Sequence, residues 1–557
     1  SMDLEKERGI TIRSKIGSCV YKDTKINIID TPGHADFGGE VERILHMADA
    51  ALFLVDAQEG PMPQSYFVLK NAIKHNLPII VVVNKIDKPA SRTSWVIDQV
   101  FDLMAELDAP DEILDFPVIY ASARNGIATE DENDLKETMV PLFDKILDYV
   151  PEPKGEKDLP FQFQVSNLDY SSFLGRLAIG KITQGTLATN QEVALSCGEN
   201  ETPQVFRVTK IYQFISNEYD VIENAAVGDI IAIAGVEGFK VGMTVTDPAH
   251  PQYLPEIAID PPTISMTFLV NSSPFAGQEG EFVTSNNILD RLKKAALSDV
   301  ALLVDNLGGD AGFKVSGRGE LHLSILVEQM RREGFEFQLS RPTVITKKVD
   351  GKVLEPFEEL TIDIDESVMG VVMEQLASRK GQMISMDPIG ENTGKLRLIY
   401  QIPTRGLLGY QGEFLMATKG RGIMGYIFLE YRPFSGDIKT RKHGVLIAKE
   451  NCKALAFALD KLQDRGQLFI EAAEQVYGGQ IIGKNAKEDD LTVNPGKGKK
   501  LTNMRASGSD DTVCLVPSLK LSLEQIIAFI DDSELVEVTP KSIRLRKKIL
   551  VESMRKK

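Results

Sequence analysis

With 557 residues, 43% hydrophobic, 26% charged and a net charge of −17, the chain reads as a folded protein of several domains. These figures exclude a single core, a collagen-like fibre and wholesale disorder. No apolar run approaches the roughly 18 residues of a membrane span, and the charged opening SMDLEKERGI lacks the apolar core of a signal peptide.

Residues 1–152 alternate apolar runs (26–29, 51–55, 79–83, 118–120) with helical stretches such as 93–107. This pattern predicts a parallel α/β sheet with its chemistry at the carboxyl ends of the strands. Residues 151–160, PEPKGEKDLP, read as a linker. Residues 153–258, rich in Val, Ile and Thr with glycine turns, predict a β-barrel. Residues 259–346 and 347–434 each combine strands with helical patterns, at 287–298 and 321–333 in the first and at 368–379 and 407–419 in the second. Two small α+β, ferredoxin-like modules are expected there. Residues 435–557 form a mixed final domain with a helix around 523–530.

Chemistry concentrates in the first domain. Asp30-Thr31-Pro32-Gly33-His34 follows the strand 26–29, where a carboxylate can hold a magnesium-bound water and the Gly33 amide can approach a phosphate closely. Asn84-Lys85-Ile86-Asp87 follows the most apolar strand. Asp87 can accept two hydrogen bonds from the ring and amino nitrogens of guanine, which adenine cannot supply, while Asn84 and Lys85 flank the base. Ser122-Ala123-Arg124 follows the strand 118–120 and brings a backbone amide near the guanine keto oxygen. The ordered trio predicts a guanine-nucleotide site.

Two further glycine motifs read as decoys. Gly478 to Asn485, GGQIIGKN, has phosphate-loop spacing but ends in Asn instead of a magnesium-binding hydroxyl. Gly420 to Gly425, GRGIMG, lies between a helix and a strand in the order opposite to a dinucleotide fingerprint, so a turn is expected. Cys19, Cys197, Cys452 and Cys514 are scattered without a CxxC pair, which fits a reducing, cytoplasmic compartment and argues against zinc or disulfides.

Charge is unevenly spread. From residue 435 onward there are 22 Lys and Arg against 17 Asp and Glu, and before it 41 against 63. A basic end on an acidic body points to an anionic polymer, with a salt-bridged surface as the alternative. The candidate cations form two groups: Lys497, Lys499, Lys500 and Arg505 beside Asn503, and Arg544, Arg546, Lys547 and Lys548 with Lys541 nearby, for which a solvated terminal helix is the alternative.

Arg8-Gly9-Ile10-Thr11-Ile12 followed by DTPGH resembles the two switch regions of the translational GTPases, the family of elongation factors G and Tu. The likeness extends along the chain: Gly317 to Leu323, GRGELHL, is similar to a stretch in the third domain of elongation factor G, and Arg405 to Gly409, RGLLG, resembles its fifth domain. No counterpart of its fourth domain intervenes. With the terminal KKLTNMRAS, residues 499–507, the arrangement resembles the BipA/TypA family of ribosome-associated GTPases. The resemblance implies GTP/GDP and Mg2+ as cofactors, Thr11 as a magnesium ligand that closes over the γ-phosphate, and His34 as the residue orienting the attacking water. It implies a monomer contacting ribosomal RNA and the acceptor end of tRNA, in ribosome assembly or stress adaptation. One departure stands out: no Gly-x-x-x-x-Gly-Lys-Ser/Thr precedes Thr11, so a chain shortened at its amino end is expected. A non-catalytic RNA-binding scaffold is the rival expectation.

Overall fold

The structure, a computed structural model, describes residues 2–8, 11–33, 38–134, 137–171, 175–196, 203–215, 218–235, 238–255, 257, 261–389, 394–438, 441, 443–498 and 514–555. In the first module the strands Ala51–Asp56, Ile79–Asn84 and Val118–Ser122 are parallel neighbours, and Ile127–Thr129 closes the sheet antiparallel. Five consecutive residues from Ile79 to Val83 are buried because helices cover both faces of the sheet. Pro63–Lys74 and Thr93–Glu106 enclose one face through Leu69, Val96, Val100 and Met104, while Leu142 and Ile146 of Val140–Tyr149 pack on the other. Pro63 opens its helix at a position where the missing N–H costs nothing. The hairpin Lys15–Tyr21/Thr24–Asp30 forms its own two-stranded sheet.

The second region is an antiparallel β-barrel fold in which eight strands surround Phe163, Val165, Ile182, Ile211, Ile231 and Val245. The two following α+β regions build their sheets differently. In one, Ile264–Leu269, Leu303–Asn306, Phe313–Gly317 and Phe337–Leu339 pair, with the helices Ser285–Ser298 and Glu320–Arg332. In the other, Lys352–Asp365 and Lys395–Pro403 form the centre of a five-stranded sheet. The helix expected over 407–419 is two helices, Thr404–Leu407 and Tyr410–Ala417. The break falls at Gly409, whose left-handed φ of 70° and closeness to Ala528 admit no side chain.

The final region is not a separate sheet. Phe337–Leu339 pairs with Glu534–Val538, and the sheet continues through Ile543–Lys547, Gln480–Asn485, Val445–Ala448 and Leu491–Val493, so eleven strands form one sheet. The helix Leu523–Phe529 begins at a Ser522/Gln525 capping box and packs on that sheet through Ile526 and Ile527. GGQIIGKN lies within the strand region, its residues 480–485 committed to the ladder, and GRGIMG joins Tyr410–Ala417 to the strand Ile423–Pro433. Among the described residues no helix is long and apolar enough to cross a membrane.

Candidate guanine-nucleotide site

Three parallel strands end side by side, with Asp56 opposite Asn84 and Asn84 opposite Ala121 in the ladders. The chain must turn sharply after Asn84, and Lys85 does so with a left-handed φ of 66°. Asn84 Oδ1 accepts from the backbone N–H of Lys85 at 2.8 Å and of Ala123 at 3.0 Å, tying the two loops together. Asp87 lies exposed beyond the turn, and its Oδ1 accepts from Ser122 Oγ at 2.7 Å. Ser122 Oγ accepts in turn from Asn125 Nδ2 at 3.0 Å. The Ser122 hydrogen bond holds the Asp87 carboxyl below the usual carboxylate range, so it is an acceptor at neutral pH. Asn84, Lys85, Asp87, Ser122 and Ala123 are thus brought together on two adjoining loops, with an ionised acceptor facing solvent.

The sequence reading missed Asp56. Its Oδ2 accepts from both Lys85 Nζ and Lys88 Nζ, each at 2.9 Å. The signal was available, since Asp56 stands at the end of its strand as Asn84 does at the end of the next.

The second group of candidates lies on the hairpin. Asp30 ends the strand Thr24–Asp30, and the Thr11 hydroxyl hydrogen-bonds to it, so the two expected magnesium ligands adjoin. Partial burial, with the charge of Glu5 nearby, pushes the Asp30 carboxyl up, against the opposing effects of Lys15 and Thr11. A hydroxyl beside a carboxylate is a hard oxygen set of the kind magnesium takes. Open space surrounds the position a Cβ would take at Gly33, and His34 lies outside the described residues. The backbone after Thr11 is fixed by Glu5, which accepts from Ile12 N at 2.9 Å and Arg13 N at 3.1 Å.

The basic candidates divide. Lys497 and Lys548 are exposed, whereas Lys499, Lys500, Asn503 and Arg505 lie outside the described residues. Arg544, Arg546 and Lys547 do not form the expected outward cationic surface, and they sit on a strand, Ile543–Lys547, instead of a terminal helix. Arg544 pairs with Glu279 at 2.7 Å and Glu537 at 3.2 Å, and Lys547, 4% exposed, pairs with Glu534 at 2.8 Å and Asp490 at 2.6 Å. Arg546 is also buried and donates to the carbonyl of Lys547. Buried cations must be satisfied: carboxylates brought in by the fold pair Arg544 and Lys547, while backbone carbonyls and Ser272 take the Arg546 guanidinium.

A parallel sheet whose strand ends carry this guanine-type triad, joined to a β-barrel and to elongation-factor-like α+β regions, defines a translational GTPase. Residues 1–152 match the elongation factor Tu GTP binding domain, 175–246 match elongation factor Tu domain 2, 352–442 match the elongation factor G C-terminus and 443–552 match the TypA/BipA C-terminal domain. The chain is 51% identical to the large ribosomal subunit assembly factor BipA of Salmonella typhimurium and to that of Escherichia coli K12, over all of this chain and 91% of each relative. The protein of that name from Bacillus subtilis is 48% identical over the same shares. A crystal structure from Thermus thermophilus superposes with a TM-score of 0.53 at 16% identity, covering 77% of this chain and 90% of that one, and shares the fold. The chain belongs to the TypA/BipA family of GTPases.

Proposed function

We propose that this protein acts on the large ribosomal subunit, hydrolysing GTP to GDP and phosphate as it assists assembly, and works as a cytoplasmic monomer. The observation that carries the nucleotide reading is the ionised, outward Asp87 held by Ser122 beside the Asn84–Ala123 tie. The ribosomal reading draws on the relatives named large ribosomal subunit assembly factor. Thr11 and Asp30 would hold magnesium, whose charge would offset that of the transferring phosphoryl group. His34 would orient the attacking water, and the Gly33 amide would answer to the γ-phosphate. Loss of that phosphate would release residues 11–13 and alter their seat on the third module, through the Leu4, Ile12 and Ile325 cluster. Lys497, Lys499, Lys500, Asn503, Arg505 and Lys548 would meet ribosomal RNA and the tRNA acceptor end.

The rival reading is a scaffold that binds RNA without catalysis. Sedimentation of the protein expressed from its complete gene with large ribosomal subunits separates the readings. The GTPase reading expects retention with a non-hydrolysable GTP analogue and release with GDP. Retention indifferent to the nucleotide would support the scaffold.

A further inference from the structure

The Asp56 carboxylate is 10% exposed, while the Lys85 it holds is 55% exposed. Oδ1 accepts from the backbone N–H of Gln58 at 2.9 Å and of Glu59 at 3.3 Å, so the turn itself fixes the carboxylate. Burial alone would raise its pKa, but hydrogen bonds from Lys88, Gln58 and Lys85 outweigh it and keep Asp56 ionised far below the ordinary range. The turn is braced from behind as well. Arg92 Nε donates to the Gln58 carbonyl at 2.9 Å, its guanidinium lies 3.5 Å from the centre of the Trp95 ring, and that ring fills the space where Gly60 lacks a side chain. Lys88, the less exposed of the two lysines, already supplies one counter-charge to Asp56. A second, largely exposed lysine drawn to the same oxygen is therefore surplus to neutrality, and ordering it costs rotamer freedom.

We propose that Asp56 is a positioning residue for guanine recognition: it anchors the Lys85 ammonium so that the lysine stem forms a fixed wall beside the base, next to Asp87, without touching the nucleotide itself. The proposal rests on the guanine-site reading above. Lys85 leaves a left-handed backbone position, directed back over the strand ends, and the anchor converts a flexible side chain into a preorganised surface.

The test uses the protein expressed from its complete gene and titrations with GDP and ADP. Asp56→Asn keeps an oxygen for the Gln58 and Glu59 amides but removes the charge that holds Lys85. GDP affinity should fall about three- to ten-fold, with kcat at saturating GTP unchanged to within about two-fold. Lys85→Ala, at an exposed position, should show a loss at least as large, and Asp56→Asn added to it should cost nothing more. Full GDP affinity in Asp56→Asn, or an equal further loss in the Lys85→Ala background, would overturn the role given to Asp56. Wild type that fails to prefer GDP to ADP would instead overturn the guanine site, and the proposal with it.

Discussion

Each side chain that faces the proposed base position is held from behind by a second residue: Asp87 by Ser122, Ser122 by Asn125 and Lys85 by Asp56. Such backing favours a fixed acceptor pattern over one that adapts to either purine. An Asp87→Asn variant offers an amide where guanine presents donors, but its N–H can reach the 2-keto oxygen of xanthine. GDP affinity should therefore fall at least about ten-fold while xanthosine diphosphate binding improves, as competition titrations would show. The triad was legible because each member follows an apolar run that ends abruptly. Asp56 closes an apolar run in the same way, but its part as the partner of a lysine 29 residues away shows only in the fold. Arg544 and Lys547 were misread for the same reason, since a charge count cannot see Glu279, Glu534 or Glu537 folding onto them.

At the scale of elements, the helix Glu320–Arg332 is the common neighbour of three regions. Ile325 packs with Leu4 and Ile12, Arg332 pairs with Glu7 at 2.6 Å, the Glu320 carboxylate accepts from Gly409 N and Ser324 donates to Glu524. His322 pairs with Asp299 at 2.6 Å. GRGELHL and RGLLG, read as separate family marks, thus meet through Glu320 and Gly409; strand and helix patterns alone carry no information on such a meeting. The segment carrying Lys499, Lys500 and Arg505 has a different physics, since any phosphate it neutralises releases counterions. Replacing all three with Glu should weaken ribosome binding and flatten its log-log salt dependence by about 0.7 to 0.9 for each phosphate no longer neutralised. Sedimentation across a salt series, with a melting curve alongside, checks this. An unchanged slope and affinity would place the RNA-binding surface elsewhere, with exposed Lys548 the next candidate.

Across the whole molecule, joints of two kinds appear. The third and final regions share one sheet and a buried polar network, in which fully buried Glu537 accepts from Asn271, Ser273 and Tyr477, and Glu534 accepts from Arg441 and Lys547. Separating them would strand buried charges, so these two regions move as a unit. The first module meets the elongation factor G-like region through more open contacts, Lys395 with Glu59 and Lys70 with Glu359, both at 3.6 Å, which are inexpensive to break. The fold class, an α/β sheet with a β-barrel and α+β regions, was legible from composition and turn signals. The shared sheet was not, because strands far apart in the sequence pair across it, as Phe337–Leu339 does with Glu534–Val538.

The proposed switch segment would push against that rigid body, and large ribosomal subunits would draw GTP hydrolysis from the first module. The most direct measurement is GTP turnover by the protein expressed from its complete gene, with and without large ribosomal subunits, for wild type and His34→Ala. Strong stimulation of wild type by the subunits is expected, with a His34→Ala variant that binds GTP normally but loses at least about a hundred-fold in stimulated turnover. Turnover that is indifferent to the subunits, or stimulation that survives His34→Ala intact, would contradict that expectation.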